Sequence, residues 1–387
     1  MLSVPLTYRE ATSPAHQVEF RREDLRRSQA RLQNRYALVP RINLKQFLCK
    51  AVIDFVEVEI VTKNSTNFPA IRRWISSALS LPSPWCEQVG GEKNSATTFH
   101  IVIHDPRIAD LERLDGAIAK TAAGLAQPTK ITKLEISIDF YPHSGSEEDR
   151  LAMFGVLQRT YMPSKNVWTK NRDHPRFQWS EKEKPTFFLP SSIKRRLHHQ
   201  LSPEAAFLDS TVYYWEKTGP ASIRIQNKIT NNRNKDRFIA LPQEDKRARI
   251  EVTLTGSALS ELKLRTIADL ARFSFTKLQG EHFHFALPTF VDRARLSQYQ
   301  KVQEAINLRD RESFAKGGVL CLERLRDVRE EWFKRVGELK ARGITPSLRR
   351  MGKGDRGTTV AYVALNEMVR TAFQELGRRI ARRERRS

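Results

Sequence analysis

Two segments of the sequence alternate between apolar and polar residues and carry acids among the polar ones. In ITKLEISIDFY (131–141), successive strand side chains point to opposite faces, so Glu135 and Asp139 lie opposite the apolar set. RARIEVTLT (247–255) presents Glu251 in the same way. Hard divalent ions such as Mg²⁺ and Mn²⁺ prefer carboxylate oxygens as ligands. These segments therefore predict two strands that offer carboxylates to a metal ion.

Strand geometry limits which acids can share one ion. Residues four apart on a strand are separated by about 13 Å, so Glu135 and Asp139 cannot easily bind one ion together. We therefore expect one of them to combine with Glu251. Solvent-facing acids on strands are also ordinary surface residues, and that alternative stays open at this point.

A predicted hairpin supplies a candidate nucleophile. The segments STVYYWEK (210–217) and ASIRIQNKI (221–229) are joined through Gly219-Pro220, which is typical of a turn. With those two residues at the centre of the turn, Tyr213 would lie directly opposite Gln226, with Cβ atoms about 5 Å apart.

Three cations share the predicted face of Tyr213, namely Lys217, Arg224 and Lys228. A free tyrosine has a reference pKa of about 10 and is therefore a weak nucleophile. Neighbouring cations favour the phenolate and bind phosphate, which would activate Tyr213 for attack on a phosphodiester. Aromatic residues are also common in sheet cores, which is the competing interpretation of this segment.

A pair of histidines offers a second arrangement. In EHFHFALP, His282 and His284 are predicted to share one side of a short strand, and such a pair can hold a divalent metal. His100 and His104 also share a strand face but lie too far apart to bind one ion. A lone pair of histidines is a weak signal for a metal site.

The elements around these residues predict an α+β fold. We expect a mainly antiparallel sheet with flanking helices as a catalytic domain, followed by a helical C-terminal region. Asp105 is predicted to cap a helix with Pro106 at its first position. Residues 162–208 are irregular and rich in lysine, proline and aromatics, as in an insertion or a substrate loop. The predicted strands are 52–61, 97–105, 131–141, 210–217, 221–229 and 247–255, and the predicted helices are 68–79, 105–125, 146–161, 323–341 and 358–380.

The predicted organisation has three parts. Residues 1–45 form a basic, partly helical arm, residues 46–290 form the catalytic domain, and residues 291–387 form a helical basic region. The chain carries a net charge of +23, which indicates nucleic acid as the partner. The three cysteines fit no zinc spacing and indicate a reduced protein, and no signal peptide or membrane span is evident. We therefore expect a cytoplasmic protein.

Four segments resemble the trans-acting replication initiation factors of rolling-circle plasmids and filamentous phages. In chain order they are VIDFVEVEIV, KLEISIDFY, the hairpin TVYYWEK…SIRIQNK, and RARIEVTL. The family carries a strand ending in acid-x-x-x-Asp, a tyrosine-bearing strand, an R-I-Y-[D/N]-K strand and an R-x-E strand. The resemblance covers residues 52–255 and is one of pattern rather than near identity.

The nucleophile position departs from that pattern. In the family the tyrosine of R-I-Y-[D/N]-K cleaves DNA, whereas this chain reads RIQNK (224–228) with Gln226 in that place. Glutamine cannot form a phosphotyrosine link, so either the chain is an inactive relative or another tyrosine serves. Tyr213 is the natural substitute, and Tyr214 is weaker because it points to the opposite face. Glu135 replaces a residue that is more often Asp, which keeps a carboxylate.

The resemblance implies a metal-dependent endonuclease that nicks one origin strand, keeps the 5′ end on a tyrosine and transfers it later to close the circle. It implies Mg²⁺ or Mn²⁺ as cofactor. The expected partners are double-stranded origin DNA and the single-stranded nick site, with a host helicase and a second copy of the chain as further candidates. The residues it assigns are Tyr213, Arg224 and Lys228 for catalysis, Glu135, Asp139 and Glu251 for metal, and Lys217, Arg249, Arg378, Arg379, Arg382 and Arg383 for DNA.

Three other functions compete with this hypothesis. Gln226 favours a DNA- or RNA-binding repressor on the same scaffold, without catalysis. A relaxase- or transposase-like nuclease would use His282 and His284 instead of Glu251. A structural basic protein would bind any DNA without preference, and the C-terminal arginines would then form only a solvated end.

Overall fold

The computed structural model describes residues 1–25, 32–79, 84–92, 94–180, 182–190, 201–234, 237–292, 299–341 and 359–384. Within them the strands are β1 (Leu2–Leu6), β2 (His16–Asp24), β3 (Arg35–Pro40), β4 (Phe47–Thr66), β5 (Trp85–Gln88), β6 (Ala96–His104), β7 (Lys130–Pro142), β8 (Arg176–Gln178), β9 (Thr186–Phe187), β10 (Thr211–Tyr214), β11 (Ala221–Lys228), β12 (Thr230–Asn234), β13 (Arg237–Ala240), β14 (Arg247–Thr255), β15 (Ala286–Val291) and β16 (Thr359–Ala361). The helices are α1 (Phe68–Leu79), α2 (Ile108–Ala119), α3 (Glu147–Thr160), α4 (Gly256–Glu261), α5 (Ile267–Ala271), α6 (Thr276–His282), α7 (Gln300–Ala341) and α8 (Val363–Glu384).

A nine-stranded antiparallel sheet carries the segments predicted to do chemistry. Its order is β5-β6-β4-β7-β14-β11-β10-β8-β9. The period-two pattern explains its two faces, since Ile136, Ile138 and Phe140 of β7 are fully buried on the face where helix α3 packs. The intervening polar residues line the other face. The predicted α+β class, with a mainly antiparallel sheet, flanking helices and a helical C-terminal region, is confirmed.

A second sheet, in the order β1-β2-β3-β15-β16, corrects the prediction for the N-terminus. Among the described residues of 1–45, the structure has the strands β1, β2 and β3 rather than the helix expected in the basic arm, apart from a 3₁₀ turn that begins at Leu44. Val18 and Phe20 of β2 are buried and alternate with the polar residues Gln17, Glu19 and Arg21. Burial of this alternating apolar set therefore decides the local structure, despite the high arginine content.

Helix α3 lies between the two sheets and joins them into one core. It contacts β2 and β15 of the small sheet and β7, β11 and β14 of the large one. Gly155 permits this close packing, because a Cβ there would lie 2.9 Å from side-chain carbons of Leu6 and Val18. The predicted helix at 146–161 is confirmed, with Ser146 accepting a hydrogen bond from the Asp149 backbone N–H at its start.

The C-terminal region is helical in its described residues, with one short strand. Helix α7 is interrupted at Gly318, whose φ of 69° lies in the left-handed region. Strand β16 comes from the same region and completes the small sheet beside β15. The division at residues 45/46 and 290/291 stays a prediction. Among the helices that the structure describes, none combines the length and apolar character needed to cross a bilayer.

Three local predictions differ from the structure. Helix α2 begins at Ile108 with Arg107 at the N-cap, so Asp105 does not cap it, and Asp105 instead adopts a φ of 46°. The irregular segment 162–208 contains β8 and β9, which extend the large sheet beyond β10. Since β10 ends at Tyr214, Lys217 lies in the following turn rather than on a strand.

Candidate metal centre

The strand register brings three acids together on the polar face of the large sheet. Asp54 of β4, Glu135 of β7 and Glu251 of β14 offer carboxylate oxygens that all lie within 4.8 Å of one another. The neighbouring strands β4, β7 and β14 hold them, with Glu251 opposite Ser137 in the register. The expectation that Glu135 or Asp139 would combine with Glu251 places Glu135 in this group, and Asp139 lies outside it.

Asp54 reaches the group because of a β-bulge. Ile53 pairs with Ile136 and Phe55 pairs with Glu135, so Asp54 is the extra residue in β4. The bulge lets a polar residue leave the regular alternation of the strand. The Ser137 hydroxyl donates a 2.6 Å hydrogen bond to Asp54 Oδ2 and fixes the carboxylate.

Two arginines neutralise part of the acidic charge. Arg224 Nη2 donates to Glu135 Oε2 at 2.8 Å, and Arg224 Nε lies against Glu251 Oε1 in an ion pair. Thr253 donates a further hydrogen bond of 2.6 Å to Glu135. Arg249 Nη1 donates to Asp54 Oδ2 at 2.5 Å and lies 3.7 Å from Glu251.

Asp139 belongs to a separate ion-pair set on the same face. It accepts hydrogen bonds of 2.5 and 2.7 Å from Arg249, which is its cross-strand partner. Arg247 Nε lies 3.0 Å from Asp139, and the Tyr141 hydroxyl donates to it at 3.3 Å. Asp139 is fully buried and committed to two arginines, so it serves to hold Arg249 beside the acid group.

The three carboxylates of this group are close to only two arginines, and the pKa of Glu251 shows the effect. Its side chain is only 2% exposed. Burial raises the pKa of Glu251 to about 7, and the nearby Glu135 and Asp54 raise it further, against the opposing effect of Arg224 and Arg249. A divalent cation fits this donor set, because it would supply the missing charge and take hard oxygen ligands.

Tyr213 lies in line with this group, in a register different from the predicted one. Tyr213 pairs with Arg224 rather than with Gln226, because the turn after β10 is longer than two residues. The shift is an even number of residues, so Tyr213 stays on the same face as Arg224, Gln226 and Lys228. Arg224 pairs in turn with Glu251, which leaves one residue between the tyrosine and the acid group across the strands.

The cations near Tyr213 differ from those expected. Lys217 is an exposed turn residue. Arg176 of β8, which sequence reasoning missed, pairs with Tyr213, and its guanidinium carbon lies 5.7 Å from the centre of the ring. Burial and the neighbouring Arg249 lower the pKa of Lys228, which faces the acid group from the other end of β11.

Tyr214 points into the core, as expected from the alternation. It is 3% exposed and packs edge-on against Tyr161 with ring centroids 4.8 Å apart. Burial raises the pKa of its hydroxyl far above the usual value. Tyr141 shares the polar face but donates to Asp139, and burial and that carboxylate raise its pKa as well. Of these three tyrosines, Tyr213 is the one next to Arg224.

The histidine arrangement is not found. His282 is the last residue of α6 and His284 follows it outside any strand, so the predicted short strand at this point is wrong. Burial lowers the pKa of His282 to about 4 and lowers that of His284. Within the described part of the chain, neither belongs to a cluster of three metal-ligating side chains.

The C-terminal arginines lie on α8. Arg378 is exposed, and Arg379 donates a hydrogen bond to the Ala51 carbonyl oxygen of β4. The side chains of Arg382 and Arg383 lie outside the described part of the structure. Their assignment to DNA phosphates stays a prediction.

Comparisons with known proteins give little support for any function. No protein-family model matches the chain, and no curated protein matches it. Among solved structures, the chain is similar to a rolling circle replication initiator protein from Geobacillus stearothermophilus. The superposition covers 73% of this chain and 97% of that one, at 11% identity and a TM-score of 0.27. This similarity is too low to transfer a function from one chain to the other.

Proposed function

We propose that this protein initiates rolling-circle DNA replication by nicking one origin strand through Tyr213 with the help of a divalent metal. The observation that carries the proposal is the three-acid group of Asp54, Glu135 and Glu251, with Arg224 between it and Tyr213. A nucleophile, a phosphate-binding cation and a candidate metal site thus follow one another across neighbouring strands. The net charge of +23 supports DNA as the substrate.

In the proposed reaction the Tyr213 oxygen forms a bond to phosphorus, and the bond from phosphorus to the 3′ oxygen breaks. The phenolic proton passes to solvent, and the leaving oxygen takes up a proton to become a free 3′-OH. Arg224 and Arg176 stabilise negative charge on the phenolate and the phosphate. Asp54, Glu135 and Glu251 would hold Mg²⁺ or Mn²⁺, which polarises the phosphate when bound.

The expected partners are part of the proposal. Double-stranded origin DNA would contact the basic C-terminal helices, and the unpaired nick site would contact the polar face of the large sheet. A host helicase and a second copy of the chain are expected partners that follow from the sequence resemblance alone. These surfaces would recognise the origin of the replicon that encodes this protein.

A DNA-binding protein without nicking activity is the second candidate. Gln226 favours it, because the position of the family nucleophile here carries an amide and pairs across strands with Arg249. Arg224 and Arg249 also satisfy much of the acidic charge without any metal. In that case the face would bind phosphates through arginine and would not cleave.

A cleavage assay separates the two candidates. The protein is incubated with Mn²⁺ and with supercoiled or single-stranded DNA from its own replicon, and a protein–DNA adduct is sought on a denaturing gel. We expect an adduct with the native chain and with Tyr141→Phe, and none with Tyr213→Phe. An adduct that survives in Tyr213→Phe would move the nucleophile, and tight binding with no cleavage would leave the non-catalytic candidate.

A further inference from the structure

One end of the polar face carries an aromatic and cationic strip. Phe187 of β9 pairs with Arg176 of β8, Arg176 pairs with Tyr213 of β10, and Tyr213 pairs with Arg224. Cross-strand partners share a face, so all of these side chains line the surface that holds the acid group. Neighbouring strands are about 4.8 Å apart, so Phe187 lies roughly 10 Å beyond Tyr213. Phe187, Arg176 and Tyr213 are each half-buried, which leaves part of every side chain accessible.

The strip is held in a fixed shape. Arg176 Nη1 donates to the carbonyl oxygens of Arg172 and His174, at 3.1 and 3.4 Å. The backbone N–H of Trp215 donates to the Asp173 carbonyl oxygen at 3.1 Å, which ties this segment to the turn after β10. The guanidinium over Tyr213 is therefore already oriented, and little side-chain entropy remains to be lost on binding.

Charge distinguishes this end of the sheet from the other. The segments that flank β8 and β9 carry the exposed Lys170, Lys182 and Lys184. Acids in the same region are engaged by arginines, since Glu183 pairs with Arg9 at 2.7 Å and Glu216 pairs with Arg172 at 3.1 Å.

At the opposite end the polar face carries three glutamates against two lysines. Strands β4 and β5 present Glu57, Glu59 and Glu87 there, the first two paired with lysines of β7. A polyanion lying on this face is therefore drawn toward β8 and β9 rather than toward β5.

We propose that the strip formed by Tyr213, Arg176 and Phe187, with Lys170, Lys182 and Lys184, binds one unpaired DNA strand. Phe187 stacks on a base, and the cations contact the backbone phosphates. The inference deepens the proposed function, because it identifies the surface that leads the substrate strand to Tyr213. The strand binds this surface whether or not it is subsequently cut.

Binding is tested on the full chain in EDTA, with fluorescently labelled dT20 as the probe and anisotropy as the readout. The variant Lys170→Ala/Lys182→Ala/Lys184→Ala is compared with Lys277→Ala/Lys301→Ala/Lys316→Ala, which removes three exposed lysines from α6 and α7. Each phosphate contact contributes about 0.7 to the salt dependence of single-strand binding. We expect the first variant to lower the slope of log K against log salt by about 2, and the control to leave it unchanged.

Stacking is tested by Phe187→Leu against Phe273→Leu, a half-buried phenylalanine that packs on Phe275 away from the strip. We expect the first to weaken dT20 binding about fivefold or more, as for loss of one stacked base, and the second to leave it unchanged. Equal losses of dT20 affinity in the strip and control variants, or no loss in either, would overturn the proposal that the strip binds a single strand. Because no metal is present, these outcomes do not depend on nicking, which the adduct assay judges separately.

Discussion

Two clusters of the molecule combine buried carboxylates with arginines, and they differ in the balance of charge. On α7, Asp310 is 4% exposed and is paired with Arg326 Nε at 2.8 Å and Arg329 Nη1 at 3.0 Å. On the large sheet, Glu251 shares Arg224 with Glu135 and lies near Asp54. The first cluster has two carboxylates, Asp310 and the less buried Glu323, for two arginines, whereas the second has three carboxylates around two arginines.

The pKa shifts of the two carboxyls therefore have opposite signs. Burial opposes ionisation in both, but Arg326 and Arg329 hold the pKa of Asp310 below its ordinary value. At Glu251 burial prevails and the neighbouring acids add to it, so the pKa rises to about 7. Buried ion pairs whose charges match are typical of structural contacts, whereas an unmatched buried acid on an accessible face is typical of a functional site.

The largest expected effect is a difference in cleavage rate between variants of the two clusters. Glu251→Gln should slow adduct formation in Mn²⁺ by about a hundredfold or more, because it removes a proposed metal ligand from the proposed nicking site. Asp310→Asn should cleave at a rate within about threefold of the native chain once its folded fraction is measured. A single-turnover gel assay checks both rates, and a loss of cleavage in Asp310→Asn alone would reverse the roles of the two clusters.

Stability should separate them in the opposite sense. Asp310→Asn leaves two arginines without their shared carboxylate and should lower the free energy of unfolding by about 3 kcal/mol. Glu251→Gln removes an acid from a cluster with too many and should leave stability near pH 7 unchanged or increased. Urea unfolding of the metal-free proteins measures both values. Similar losses in the two variants would show that charge balance is not what distinguishes the clusters.

The pH dependence of stability follows from the raised pKa of Glu251. The folded state holds this proton more tightly than the unfolded state, whose pKa is about 4.5, so the stabilisation is complete below pH 4.5 and is lost as pH rises through 7. Between about pH 5 and pH 7 the native chain should lose about 2 kcal/mol more than Glu251→Gln. Parallel pH profiles of the metal-free native chain and the variant would contradict the raised pKa.

A smaller difference is expected between two aspartates of the same face. Asp54→Asn should weaken Mn²⁺ binding about tenfold, because it removes one of the three candidate ligands. Asp139→Asn should change Mn²⁺ affinity by less than about threefold, since that carboxylate is engaged by Arg249 and Arg247. Titration with Mn²⁺ at a pH above 7 compares them, and a larger loss in Asp139→Asn would move the metal site along β7.

The sequence predicts the large sheet well where alternation is regular. Residues 131–141 and 247–255 read as strands with acids on one side, and β7 and β14 have those acids on the polar face. Alternation also fixes the face of Tyr213, although not its partner. The pairing with Arg224 depends on how many residues the turn takes up, which the Gly219-Pro220 pair does not reveal.

The parts that were missed depend on contacts distant in sequence. Asp54 joins the acid group through a bulge, and a bulge is set by the pairing of β4 with β7 rather than by β4 alone. The break in alternation at Val52-Ile53-Asp54-Phe55 is the one local signal. In the N-terminal segment the alternating apolar pattern of a strand is weak, because β2 is rich in charged residues and buries only two of its nine side chains.

The small sheet has a consequence for how this chain folds. Arg35 of β3 pairs with Val291 of β15, and Ala286 of β15 pairs with Ala361 of β16. The edge of β3 therefore stays unpaired until β15 has been synthesised, and the edge of β15 stays unpaired until β16 has been synthesised. Closing such long loops is slow, and unpaired strand edges attract other chains in the meantime. Assembly of the small sheet is thus completed by β16, and a nascent chain cut short before this strand exposes an edge on which it can aggregate.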